Sequence, residues 1–546
     1  MTRSDASDCD VVIVGSGPAG VSAAFPLLDA GLRVVLVDGG RDVQVPALGG
    51  PFLERRLADA RQWEWMVGRD FHALRQLDAV SPKFRVPAHA PVFDGFASAN
   101  RIVSKDFVAV GSLATGGLSN AWGCGVACLS AEELASFPLG ATEMRDSYRS
   151  VAMRIGISGG AGDDLSEFFG LDAWSQAPLA MDELQGGLFR RYMRGAGRTR
   201  RHGLRLGRAR MATLSAAMGD RLSCDLSGNC LWGCQRRALY CSTEDLRALQ
   251  CRPGFVYRPG FIVEDVAWDG SRAGVHGRTA LGRERLHGRR VVLAAGTLAS
   301  TRLALSAIDH RAAVPMQSCP TAAFLLWLPM HLGRARQAAF GLGQLAFALD
   351  LPSLGEAYGA LFSTTGIPLG EFARFLPVGR RSALDVLEPL LASCIVGNVF
   401  LPGSLMDATL QLDAQGSLQV SGRFRDEVAG LMDDVRRRLA ASFRALGAIL
   451  LPGSFRLGRP GSDIHYAASL PMCMSPHVGQ TDAFGALVGA PGIHVVDGAS
   501  LPFLPAKPHT LTIMANADRI GRHVADLLSR RCGNRGSNDG IPACSL

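Results

Sequence analysis

Short apolar runs that stop abruptly at glycine or aspartate recur along this chain at wide intervals. Val11–Val14 runs into Gly15, Val34–Val37 into Asp38, Val291–Ala295 into Gly296, and the pair Val495–Val496 into Asp497. Apolar runs without polar alternation suit strands buried on both faces, the situation of a parallel sheet. Helix-like stretches follow Gly20 and Gly296, and another spans residues 510–528. Strand, turn and helix in this repeated order predict an α/β fold in which segments far apart in the chain complete one sheet.

The first turn carries the most specific pattern. Gly15, Gly17 and Gly20 form G-x-G-x-x-G between two predicted strands, and Asp38 closes the second strand. The first glycine permits a tight turn, the second lets a pyrophosphate approach the backbone, and the third lets helix and strand pack closely. The following helix offers phosphates its unpaired N–H groups and positive dipole end. Asp38 stands where a carboxylate accepts hydrogen bonds from a ribose, so the unit reads as a dinucleotide site. A second glycine-rich stretch, GSLATGGLSNAWGCG at 111–125, includes Gly116, Gly117, Ser119, Asn120 and Trp122. Its backbone can lie against a flat ligand. FIVED at 261–265 and the turn at Ala295-Gly296 extend the same sheet.

Residues 311–454 follow a different pattern. An apolar stretch at 319–350 precedes a middle punctuated by proline and glycine, strand-like pieces at Ala408–Leu412 and Ser417–Val420, and an amphipathic, charged helix over Arg425–Leu446. We read this part as an α+β substrate-binding lobe. Residues 1–310 and 455–530 then form a Rossmann-like dinucleotide domain, assembled from discontinuous segments and interrupted by lobe excursions near 50–100 and 150–210. The tail, 531–546, is expected to be disordered.

With 47% hydrophobic and 19% charged residues among 546, the chain is a globular one with a large core. Its net charge of +8 comes from arginine; only Lys83, Lys105 and Lys507 are lysines, and no nucleic-acid partner is expected. Nine arginines and no acid lie in 190–211, a run that reads as a solvated face or as a contact for a phosphate, an acidic partner or a membrane surface. MTRSDASDCD holds no apolar signal region and no apolar run reaches the length of a membrane span, so a cytoplasmic protein is expected, with peripheral membrane contact left open. Cysteines 224, 230, 234, 241 and 251 match no common zinc or iron–sulfur spacing, and no metal is expected.

Taken together, the N-terminal glycine motif, G-G-x-S-x-x-W-G at 116–123, VVLAAG at 291–296 and the C-terminal block from His465 to VVDGASLP at 495–502 resemble the glucose–methanol–choline family of flavoproteins. The resemblance implies FAD as cofactor and a two-lobed fold. It places the cofactor against Gly15, Gly17, Ala19, Gly20, Asp38, Gly116, Gly117, Ser119, Asn120, Trp122, Val263, Ala295, Gly296, Asp497, Gly498 and Thr510. It also implies oxidation of a CH–OH group, with His465 as the base and His509 as its hydrogen-bonding partner; non-redox lyases built on the same scaffold are the alternative. The chain departs from the family pattern at Ala468-Ser469, where Gly-Thr is frequent, and at Pro508-His509. The apolar stretch 319–350 suits an alcohol that is lipophilic or bound to a carrier.

Overall fold

The structure, a computed structural model, describes residues 8–43, 49–76, 81–160, 162–373 and 377–533. Five strands run parallel in the order Ala490–Val495, Gly282–Leu293, Asp8–Val14, Val34–Val37 and Phe255–Arg258. Within them Val14 pairs with both Val37 and Leu293, and Leu293 pairs with Val495, so four strands end level with one another. The alternation of each strand divides its side chains between two cores. Val11, Ile13 and Leu36 face helices Pro18–Asp29 and Thr510–Gly533. Val12, Val14 and Val37 face the other way, toward helix Thr297–Ala307 and strands Ile262–Trp268 and Ala273–Thr279. Burial on both faces explains why these strands show no polar alternation, and each such side chain contributes about 1.5–3 kcal/mol. The chain therefore has the predicted α/β architecture, a Rossmann-like domain built from discontinuous segments beside an α+β lobe.

The lobe is a seven-stranded sheet in the order Ile449–Leu450, Thr321–Trp327, Cys394–Phe400, Gly355–Ser363, Gly343–Leu351 and Leu204–Arg208, with Arg456–Leu457 also paired to Thr321–Trp327. Alternation again assigns faces. Phe324, Leu361 and Val399 pack under helices Glu183–Gly195 and Val428–Ala445, while Tyr358, Asn398 and Phe400 line a cavity. The apolar stretch 319–350 thus resolves into two strands that are not neighbours. Strands Val314–Met316, Met406–Leu412 and Leu418–Phe424 join Ile102–Ser104 in a separate sheet. Their inward residues share a core with the parallel sheet rather than with the lobe.

The arginine-rich run 190–211 is divided by the fold. Arg190, Arg194, Arg198 and Arg201 are exposed, and Arg205 pairs with Glu356. Arg210 is fully buried against Asp163 at 2.9 Å and Asp172 at 2.6 Å. None of the nine arginines lines the cavity. Helix Thr510–Gly533 extends three residues into the predicted tail; residues 534–546 lie outside the described residues. Among the described residues no helix is long and apolar enough to cross a membrane.

Removing the buried Arg210 charge leaves two carboxylates uncompensated. Arg210→Met is expected to lower stability by about 3–5 kcal/mol, read as a shift of the urea unfolding midpoint; an unchanged midpoint contradicts the buried network.

Candidate active site

One cavity of about 1330 Å³ extends from the ends of the parallel strands to the lobe sheet. That exceeds the usual range of about 300–1,000 Å³ for one small ligand and leaves room for a cofactor and a second molecule.

At the parallel-sheet end, each motif glycine has its own steric reason. Gly15 has φ +107°, and a Cβ there would overlap the carbonyl of Ala294. A Cβ on Gly20 would overlap the carbonyl of Gly15, so this position serves packing. A Cβ on Gly17 would meet no protein atom within 4 Å, because it would project into the cavity. The second glycine loop closes on the first: a Cβ on Gly117 would lie 3.4 Å from the Gly17 Cα. Gly17 also caps helix Pro18–Asp29, whose first residue is proline, so the helix starts at the cavity edge with its N–H groups free for an anion. Asp38 lies at the same end, held by the hydroxyls of Ser16 and, at 2.8 Å, Tyr257. Burial raises its pKa, and these hydrogen bonds oppose the shift. A glycine cradle, a free helix N-terminus and a carboxylate at the strand end are the donor set that a dinucleotide needs, and they fit the group.

Of the remaining predicted cofactor residues, Ala19, Ser119, Trp122, Val263, Ala295, Gly296, Asp497, Gly498 and Thr510 line the cavity. Gly20, Gly116 and Asn120 do not line it; they shape the loops around it. The Asn120 amide donates to the carbonyls of Thr115 and Gly117, each at 2.8 Å. The Gly116 N–H donates to Ser16 Oγ at 2.8 Å and so ties the two glycine loops together. Asp497 is an internal clamp. It accepts from Gly296 N at 2.9 Å, Ser300 Oγ at 2.5 Å and Ala499 N at 3.0 Å. Burial pushes its carboxyl up to about 6.

The two predicted histidines meet at the far end of the cavity. The rings of His465 and His509 are 4.8 Å apart and nearly perpendicular, at 81°. Phe400 of the lobe sheet backs His465, with ring centres 5.1 Å apart. Nδ1 of each histidine is buried without a hydrogen-bond partner among the described residues, and both residues line the cavity. Burial holds His465 well below the ordinary histidine pKa, and His509 and Lys83 add to the shift. Burial alone pushes His509 down to about 4. Both rings are therefore neutral at pH 7. The backbone around His465 is tight: Ile464 and Ala468 hold left-handed φ values of 59° and 61°. Ala468 stands where the resembled family often has glycine, which this conformation favours. His494 Nδ1 donates to the Phe484 carbonyl at 3.0 Å, and Asn516 accepts from Arg519; both belong to the packing.

Sequence reasoning missed Asp463 and Lys83. Asp463 is fully buried, and its carboxylate accepts from Ser318 Oγ at 2.6 Å and Cys319 N at 2.7 Å. One of its oxygens is 3.8 Å from His465 Nδ1. Burial pushes its carboxyl up to about 7. Its place two residues before His465 was the available signal. Among the described residues, Cys319, Asp463 and His465 are the group with metal-ligand atoms within 4.8 Å of one another. The carboxylate already holds two donors there, and we assign no metal. The cysteines among the described residues are free thiols.

Comparison with known proteins agrees with the cofactor end of the cavity. Residues 10–79 match a family model described as an FAD binding domain. No curated protein matches the chain. Its fold is similar to that of pyridoxine 4-oxidase from Mesorbium loti, with a TM-score of 0.59 at 14% identity over 94% of this chain and 99% of that one. The cofactor of this chain is FAD.

The glycine geometry separates binding from folding. Gly17→Val should fold with the unfolding midpoint of the apoprotein yet purify without flavin absorbance, whereas Gly20→Val should fail to fold. Full FAD content in the Gly17 variant contradicts the cradle. Asp38→Ala should weaken FAD binding by about 1–3 kcal/mol, the scale of a lost charged hydrogen bond, measured by titrating the apoprotein with FAD.

Proposed function

We propose that the chain oxidises an alcohol to an aldehyde or ketone, as a glucose–methanol–choline type oxidoreductase, at the meeting point of His465 and His509. The observation that carries this reading is the pair of neutral, perpendicular imidazoles opening on the cavity that the cofactor residues line. FAD, when bound, supplies the acceptor for a hydride. The protein's part is to bind the alcohol, hold its oxygen and take its proton.

His465 takes the hydroxyl proton at Nε2, which requires the tautomer with its proton on Nδ1. His465 Nδ1 lies 3.8 Å from an Asp463 oxygen, beyond direct hydrogen-bond distance. A carboxylate at this distance stabilises the imidazolium as it forms through its charge. Without it, a base as weakly basic as a buried histidine would be poorly matched to neutral pH. His509 holds the same substrate oxygen from a second direction and aims the C–H bond. It immediately precedes helix Thr510–Gly533, whose positive end opens on the cavity and favours negative charge there. The lobe sheet shields the chamber from water with Tyr358 and Phe400. We further infer that residues 311–454 act mainly as the cover of this chamber, joined by strand Leu204–Arg208.

His465→Ala should retain FAD and slow anaerobic flavin reduction by roughly 10²–10⁴-fold, the usual worth of a general base. His509→Ala should slow it less, and the two losses should not add if both rings hold one oxygen. In the wild type, reduction should fall as pH drops through about 7, where Asp463 takes up its proton and ceases to support the imidazolium. The histidine values lie lower. Asp463→Asn should therefore be slower and lose that pH dependence, as stopped-flow profiles would show. A wild-type profile in Asp463→Asn contradicts its positioning role.

A further inference from the structure

Lys83 is a cation without a counter-ion in the catalytic chamber. It lies on the short turn Pro82–Arg85, half-buried and lining the cavity. The turn is fixed from both sides. Ser81 Oγ accepts from Lys83 N at 3.4 Å, and Arg85 pairs with Glu371 of the lobe at 2.5 Å. Lys83 and His465 both line this one cavity, and the Lys83 charge adds to the lowering of the His465 pKa. Three carboxylates line the cavity, and each is engaged elsewhere: Asp38 by Ser16 and Tyr257, Asp463 by Ser318 and Cys319, Asp497 by Gly296 and Ser300. Among the described residues no hydrogen-bond or ion-pair partner reaches the Lys83 ammonium. The other basic side chains on the lining, Arg456 and Arg459, are exposed.

A cation facing a largely apolar chamber with no counter-ion among the described residues attracts a ligand carrying the opposite charge. We propose that Lys83 anchors a carboxylate of the substrate, so that the alcohol oxidised here carries a carboxylate close to its reacting hydroxyl and an apolar remainder. This rests on the reading of the chamber as the site of alcohol oxidation and names its substrate class. One point charge suits a monoanion; a phosphate dianion would call for further donors beside it. The apolar remainder has walls to lie against in Leu325, Phe362, Phe372, Leu387, Val396 and Leu451. Burial pushes Lys83 down to about 8, which leaves it mainly charged at neutral pH.

The test is binding to the FAD-loaded protein, read as perturbation of the flavin spectrum, with octanoate and its neutral counterpart methyl octanoate as probes. Octanoate should bind at least tenfold more tightly than the ester. Lys83→Met should abolish that preference while keeping ester affinity and FAD content, and Lys83→Gln should behave like Lys83→Met. A wild-type ratio in either variant overturns the proposal, as does tighter binding of octyl phosphate than of octanoate. A shifted flavin potential in Lys83→Met with the preference intact would assign Lys83 to the cofactor instead, and would overturn it equally. Because binding is read without turnover, failure of every alcohol to reduce the flavin would remove the oxidation reading and leave this result standing.

Discussion

Everything at this site depends on how closely the backbone packs where four parallel strands end level. Val14, Val37, Leu293 and Val495 stop at one line, and the turns that leave them leave no room for a side chain at Gly15 or Gly20. That density forms a floor of backbone N–H groups and one helix N-terminus, onto which an anionic cofactor can be laid. The Ser16 hydroxyl then links the second glycine loop to the first through the Gly116 N–H. The clamp made by Asp497 holds the Gly296 turn against the final block of the chain, and so brings His509 to the same cavity. A site built from segments nearly five hundred residues apart is thus positioned by backbone contacts inside one sheet.

The chamber above that floor is organised by charge. Its histidines are kept neutral by burial and its carboxylates are already hydrogen-bonded, one of them facing His465. Neutral bases and engaged acids let a proton move without a buried charge being left alone at rest. Lys83 is the exception: it lines the same cavity as a cation with no counter-ion among the described residues.

Much of the floor was legible in the sequence because its constraints are local. A glycine required by a turn, a run buried on both faces and an acid at a strand end all leave a pattern in consecutive residues, and strand Val34–Val37 was read with its observed bounds. His465 and His509 stood out only through a resemblance, yet the structure brings them together. What remained illegible depends on long-range pairing. The apolar stretch 319–350 gave no sign that it would split into two non-adjacent strands. Nor did the pieces at 406–424 show that they would pack on the parallel sheet rather than on the lobe. Arg210 looked like its neighbours in a basic run, although it is wholly buried. Lys83 lies in a segment with no periodicity, and its meaning comes only from what surrounds it.

The central claim is that the chamber oxidises alcohols through the flavin. It is tested most directly by mixing the FAD-loaded protein, without oxygen, with alcohols ranging from sugars and polyols to sterols and hydroxy acids, while following flavin absorbance and the product. The account predicts that at least one class bleaches the flavin with one equivalent of carbonyl product formed per flavin. Substrate consumed while the flavin stays oxidised throughout, or a flavin that dithionite bleaches but no alcohol does, would contradict it.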